Sequence, residues 1–211
     1  MKIMRLQQDK IGLVAGILWL LTLQYFVMQT VVALQWPTPF SLKENAISDL
    51  GAVMCGQFQD RYVCSPWFGA MNISFVVLGL LMIGGAYAMY RYYGSAKSGF
   101  MMIALSGIGA VLVGLFPEDT VSSLHIAGAV LSFVPGGLAL VWCGLKMGWP
   151  RWHRTVSVGF GTLSLVSLAV LTVGMYGSIG FGTVERLVSY PIVTWLMIVG
   201  TYTLYRSVRS A

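Results

Sequence analysis

The sequence predicts an all-α polytopic membrane bundle of six transmembrane helices, and three observations carry that expectation. Hydrophobic residues make up 57% of the chain and charged residues 9%, and the mean hydropathy is +0.77, outside the range of soluble domains. The apolar residues gather into six segments, at about 11–34, 67–90, 99–116, 121–145, 155–176 and 187–205, each close to the roughly 20 residues that cross a hydrocarbon core. Basic residues flanking these segments fall mainly on one side: Lys2, Arg5 and Lys10, then Arg91 and Lys97, then Lys146, Arg151 and Arg154, then Arg206 and Arg209. Positive charge in short loops marks the cytoplasmic side. Both termini are therefore expected in the cytoplasm, and the 211 residues are expected to form a single integral-membrane domain.

A net charge of +6 invites comparison with nucleic-acid binders. The basic residues form no stripe, however, and sit at span ends, so nucleic acid is not an expected partner and membrane lipid is.

The first segment follows a basic stretch as a signal peptide would. It exceeds the roughly 7 to 15 apolar residues of such a peptide, and no small-residue cleavage motif precedes Gln35 and Trp36, so it reads as a retained span. The longest connection, 35–65, begins Trp36-Pro37-Thr38-Pro39, an extended stretch because each proline disfavours helix before it. Ser41 and Glu44 then have capping-box spacing, which predicts a short extracytoplasmic helix of about two turns carrying Asn45 to Leu50 and ended by Gly51. Cys55 and Cys64 share this loop, on the oxidising side, and a disulfide is expected rather than free thiols or a metal pair. Ser65-Pro66 suits the start of the second span, with Ser65 as cap. Gly107, Gly109 and Gly114 in the third span and Gly159 and Gly161 in the fifth suit close helix contact. Pro135-Gly136-Gly137 interrupts the fourth. Cys143 reads as a small apolar packing residue.

Each external connection places a carboxylate near a helix end: Asp49 in the first, Glu118 and Asp119 in the second, Glu185 in the third. Ionisable groups beside the apolar zone are costly, and their convergence on one face is the main functional clue. Phe116-Pro117-Glu118-Asp119 is read as opening the fourth span, with Asp119 suited to helix capping. Glu118, Ser122 and His125 then follow at helical spacings of four and three, on one face.

His125 can be a hydrogen-bonded packing residue, a proton-transfer group, or part of an incomplete divalent-metal set with Asp49 and Glu118. His153, among cytoplasmic basic residues, reads as interfacial. Histidines on opposite sides cannot clamp a haem, and no phosphate loop or nucleophile elbow occurs. Asn72-Ile73-Ser74 has the form of a glycosylation triplet but falls inside a span.

Asn45-Ala46-Ile47-Ser48-Asp49-Leu50-Gly51, Ser65 with Asn72, Gly107-Ile108-Gly109 with Val113-Gly114, Phe116-Pro117-Glu118-Asp119, His125, Gly182 with Glu185-Arg186, and Trp195 together resemble the DUF998 family of prokaryotic membrane proteins. The resemblance spans most of the chain and implies a multi-pass protein of the prokaryotic plasma membrane. It marks Asn45, Ser48, Asp49, Asn72, Pro117, Glu118, His125, Glu185 and Arg186. Since the family carries no established activity, it implies positions and not a reaction. A remoter likeness is to multispan lipid hydrolases holding zinc with one Asp and three His beside a Ser; here the other two His are absent.

The resulting expectation is an enzyme of the extracytoplasmic interface acting on a lipid or lipid-linked substrate. His125, Asp49, Glu118 and Ser48 would be catalytic. Asn45, Asn72, Glu185 and Arg186 would bind substrate, with Arg186 paired at rest to Glu185. A non-enzymatic binder or transporter using the same pocket, and a purely structural network, are the alternatives. Each is distinguished by whether product, flux or only stability depends on these residues.

Overall fold

The structure is a computed structural model that describes residues 2–210, with side chains described from Gln7 to Arg209. Lys2 and Arg5, counted above in the charge distribution, lie outside the described side chains. Among the described residues six helical spans are long and apolar enough to cross a membrane: 7–33, 68–93, 97–115, 122–146, 151–172 and 181–209. The first consists of α1 (Lys2–Leu20) and α2 (Gln24–Ala33), joined by a tighter turn at Leu21–Leu23. The others are α3 (Phe68–Tyr93), α4 (Lys97–Leu115), α5 (Ser122–Lys146), α6 (Arg151–Thr172) and α7 (Phe181–Ser210). Prolines fall inside two of them, Pro135 in α5 as expected and Pro191 in α7, where the sequence reading had no interruption.

Each span packs on the next, α3 on α4, α4 on α5, α5 on α6 and α6 on α7, and α1 then contacts both α7 and α3, closing a ring. Small residues set the close approaches, since lipid gives helices no hydrophobic reason to associate and van der Waals packing must supply it. A side chain on Gly79 or Gly107 would strike the facing backbone across the α3 and α4 contact, and one on Gly109 or Gly128 would do so between α4 and α5. Gly161 similarly faces Gly137, whereas Gly159, expected at a contact, borders open space.

One end of the ring carries the termini and the other the long first connection, called here the long-loop end. Toward the terminal end the interior is aromatic: Trp19 packs on Trp195 at 5.6 Å, and Trp149 on Trp195 at 6.0 Å. His153, expected at the interface, is buried in this cluster against Trp152 and Tyr202, with ring centroids at 3.7 and 4.4 Å. Cys143 is buried and packs against Gly99.

Two corrections concern the long connection. The expected two-turn helix is a single tight turn, Ser48–Gly51. The Ser41 hydroxyl does accept the Glu44 N–H (3.2 Å), but the Asn45 side chain, not Glu44, reaches back to the Ser41 N–H (3.0 Å), which folds the segment on itself. Beyond it, an unforeseen hairpin pairs β1 (Gly56–Phe58) with β2 (Arg61–Val63), antiparallel. The expected Cys55–Cys64 disulfide is formed at its base. The Ser65 hydroxyl donates to the Leu50 carbonyl (2.7 Å) rather than capping α3.

Candidate functional site

The hairpin exists to deliver one side chain. Phe58 and Arg61 face each other across a two-residue turn in which Gln59 takes a positive φ of 54°, and the disulfide clamps the other end. Arg61, at the head of β2, points at Asp49, which is wholly buried. Arg61 Nε lies 2.9 and 2.8 Å from the two carboxylate oxygens, and Nη2 lies 2.6 Å from Oδ1. Asp49 Oδ2 also accepts the Ala46 N–H (2.9 Å) and the Asn45 amide (3.2 Å). A buried carboxylate is tolerated only when so thoroughly paired. The rings of Phe181 and Phe58 flank the guanidinium at 4.8 and 5.6 Å.

Glu118 approaches the same cation, with Oε2 at 3.6 Å from Arg61 Nη2. Burial, followed by the neighbouring Asp49 carboxylate, pushes the Glu118 carboxyl well above its ordinary value of 4.5, against the opposing pull of Ser48 and Arg61. Two carboxylates around one guanidinium would leave a net negative charge in a dry place, and a proton on Glu118 removes it. Glu118 precedes the helix instead of opening it: α5 starts at Ser122, whose hydroxyl donates to the Glu118 carbonyl. Asp119 does not cap α5 either. Its Oδ2 accepts the Met54 N–H (2.7 Å), tying the first connection to the second.

His125 lies on the first turn of α5 with Nδ1 2.9 Å from the Phe116 carbonyl. A carbonyl only accepts, so Nδ1 carries the hydrogen and a neutral ring keeps its lone pair on Nε2. Glu185 and Arg186 were expected in a connection, but α7 begins at Phe181 and places both in its first two turns. They turn to different sides and form no ion pair with each other. The Glu185 carboxylate accepts the Ile47 N–H, while Arg186 Nη1 donates to the carbonyls of Leu42 (3.0 Å), Asn45 (2.8 Å) and Gly182 (2.8 Å). Gly182 is required here, because any side chain would meet the Asn45 carbonyl.

These residues surround two spaces that share part of their lining. A cleft of about 360 Å³ runs between α5 and α6, with Ser48, Arg61, Glu118, His125 and Glu185 at its long-loop end and Ile126, Val130, Leu168 and Leu171 along its walls. Ile126 and Val130 are 60% and 51% exposed, so the walls continue onto the outside of the bundle. Ser48, His125 and Glu185 also line a smaller interior cavity of about 50 Å³ that reaches Tyr25, Ser132 and Ser189.

Asn45 and Asn72 line neither space. Asn45 supports Asp49, and the Asn72 amide donates to the Gly51 carbonyl (2.9 Å). Arg186 lines a different cavity. Among the described residues no three His, Cys, Asp or Glu side chains converge on a metal position, and the Arg61 guanidinium lies between Asp49 and Glu118, where a metal ion was one of the alternatives. Arg61 is the residue that sequence reasoning missed. Its one signal was being the sole basic residue inside the span between Cys55 and Cys64.

The family model described as a protein of unknown function, DUF998, matches residues 13–202, most of the chain and every residue of the site. The chain belongs to the DUF998 family. No curated protein and no solved structure matches it. Within this DUF998 protein, the marked residues other than Pro117 thus divide into a cleft set (Ser48, Glu118, His125, Glu185), a supporting set (Asn45, Asp49, Asn72) and Arg186 on its own.

Proposed function

We propose that the protein is an enzyme of the extracytoplasmic membrane interface that hydrolyses or transfers a group on a lipid or lipid-linked substrate. The observation that carries this reading is the cleft between α5 and α6. It joins exposed apolar walls suited to acyl chains with an acid and a base at its polar end. In hydrolysis, His125 Nε2 takes the proton of the attacking water as the new bond to carbonyl carbon or phosphorus forms. The protonated Glu118 carboxyl gives its proton to the departing oxygen. In group transfer the acceptor hydroxyl stands where the water does. Asp49 and Arg61 position Glu118, and Ser48 beside it orients the substrate.

The test is comparative lipidomics of host cells lacking the protein and complemented with wild type or His125→Ala. A lipid that changes on deletion and returns only with wild type supports the reading and names the substrate class. Equal restoration by both removes His125 from the chemistry. A second reading, ligand binding or transport, draws on the interior cavity behind Ser48, His125 and Glu185. Flux into vesicles that depends on Glu118, without product, would favour it.

A further inference from the structure

A third cavity at the long-loop end has no part in that chemistry. It measures about 740 Å³ and lies between α2, the stretch 36–42 and α7. Its most polar wall is Arg186, only 7% exposed. Nη1 is consumed by three carbonyls, and the ring of Phe40 lies over the guanidinium at 5.5 Å. Nε and Nη2 make no hydrogen bond of good geometry, although the Tyr190 hydroxyl oxygen interacts with the guanidinium. Their polar neighbour Tyr190 gives its own hydroxyl hydrogen to Gln29 (2.8 Å). Among the described residues no carboxylate lies within ion-pair distance of Arg186, and Glu185, next along α7, is turned to Ile47.

A buried cation without a direct ion-pair partner is costly; Arg186 has Glu185 nearby but unpaired, whereas Arg61 is paired in full. The same cavity is lined by Trp36, whose Nε1 is also buried and without a partner. The unpartnered buried polar atoms lining this space are therefore all donors. Nε and Nη2 form the edge of the guanidinium that offers two parallel N–H groups to two oxygens of one anion. A third donor suits a tetrahedral oxyanion better than a planar carboxylate. Phe26, Ala33 and Leu34, at the end of the first span, supply an apolar floor.

We propose that this cavity is a phosphate-binding site, in which Arg186 Nε and Nη2 hold two phosphate oxygens and Trp36 Nε1 donates to the same group. The phosphate belongs either to a lipid headgroup, with its chains along the floor, or to a free anion. The proposal is independent of the enzymatic reading.

The test uses the full-length protein in maltoside detergent, titrated separately with dihexanoyl phosphatidic acid and with inorganic phosphate, and read by native mass spectrometry and thermal shift. Wild type is expected to bind saturably. Affinity should fall by roughly tenfold or more in Arg186→Lys, which keeps the charge and loses the fork, and by about threefold in Trp36→Phe. It should be unchanged in His125→Gln, which separates this site from the cleft. Tighter binding of the phosphatidic acid assigns the headgroup, and equal binding assigns the free anion. The absence of saturable binding to both probes, or an affinity in Arg186→Lys within twofold of wild type, overturns the proposal. If the Lys variant does not fold, Trp36→Phe decides, and unchanged affinity there overturns it.

Discussion

The two histidines occupy opposite ends of the bundle and are both buried, yet they are set for different work. His153 sits with its ring among those of Trp149, Trp152 and Tyr202, and neither ring nitrogen is hydrogen-bonded. His125 has Nδ1 fixed by a backbone carbonyl, borders two cavities, and shares the cleft with Glu118 and Ser48. Burial alone distinguishes nothing here. What differs is polar company and open space beside the ring, and those are what chemistry requires.

The contrast can be broken most decisively through activity. His125→Ala is expected to lower conversion of the affected lipid about 10² to 10⁴-fold, the usual share of a general acid or base, while His153→Ala leaves conversion per folded molecule near wild type. Comparable losses in the two variants would erase the distinction. Arg61→Ala should come next, lowering stability by about 3–5 kcal/mol because the buried Asp49 loses its counter-charge. Unfolding by heat or denaturant in detergent reads this, and Arg61→Lys should recover part of the loss.

A smaller effect belongs to pH. The Glu118 carboxyl is raised in the folded protein by burial and by Asp49. Its contribution to stability is therefore complete below its ordinary value of 4.5 and is lost as pH rises through the raised folded value. Wild type should lose thermal stability across that window, and Glu118→Gln should not. Parallel profiles would count against the shift. The smallest change is expected from His153→Phe, within about 1 kcal/mol of wild type and toward stabilisation, since replacing an unsatisfied buried polar ring by an apolar one relieves desolvation. A loss above about 3 kcal/mol would show that its nitrogens are in use.

The six spans were legible because about 20 apolar residues in a row admit one explanation in a membrane protein. The convergence of Asp49, Glu118 and Glu185 followed from short connections between such spans. What escaped was decided by single hydrogen bonds. Charges at Glu185 and Arg186 suggested a loop, but inside α7 the Ile47 N–H meets the Glu185 carboxylate and the carbonyls of Leu42 and Asn45 meet Arg186 Nη1. The capping-box spacing of Ser41 and Glu44 did not reveal that Asn45, one residue on, would take the Ser41 N–H. Arg61 was invisible as a counterion because its approach to Asp49 depends on a hairpin of three-residue strands, too short for a periodic signal. Periodicity records which face meets lipid and is silent on which polar atoms meet each other.

The closure of the ring by α7 against α1 also orders events in time. The Ile47 N–H finds its acceptor 138 residues later in the chain, and the carbonyls of Leu42 and Asn45 wait for Arg186. During synthesis the first connection is made long before the helix that fastens it has been translated. Until α7 is in place, the Ile47 N–H and the carbonyls of Leu42 and Asn45 lack the partners that it supplies. The cleft, lined in part by Phe181 and Glu185, is thus complete only once α7 has been made, and a product stopped before Phe181 would lack that wall.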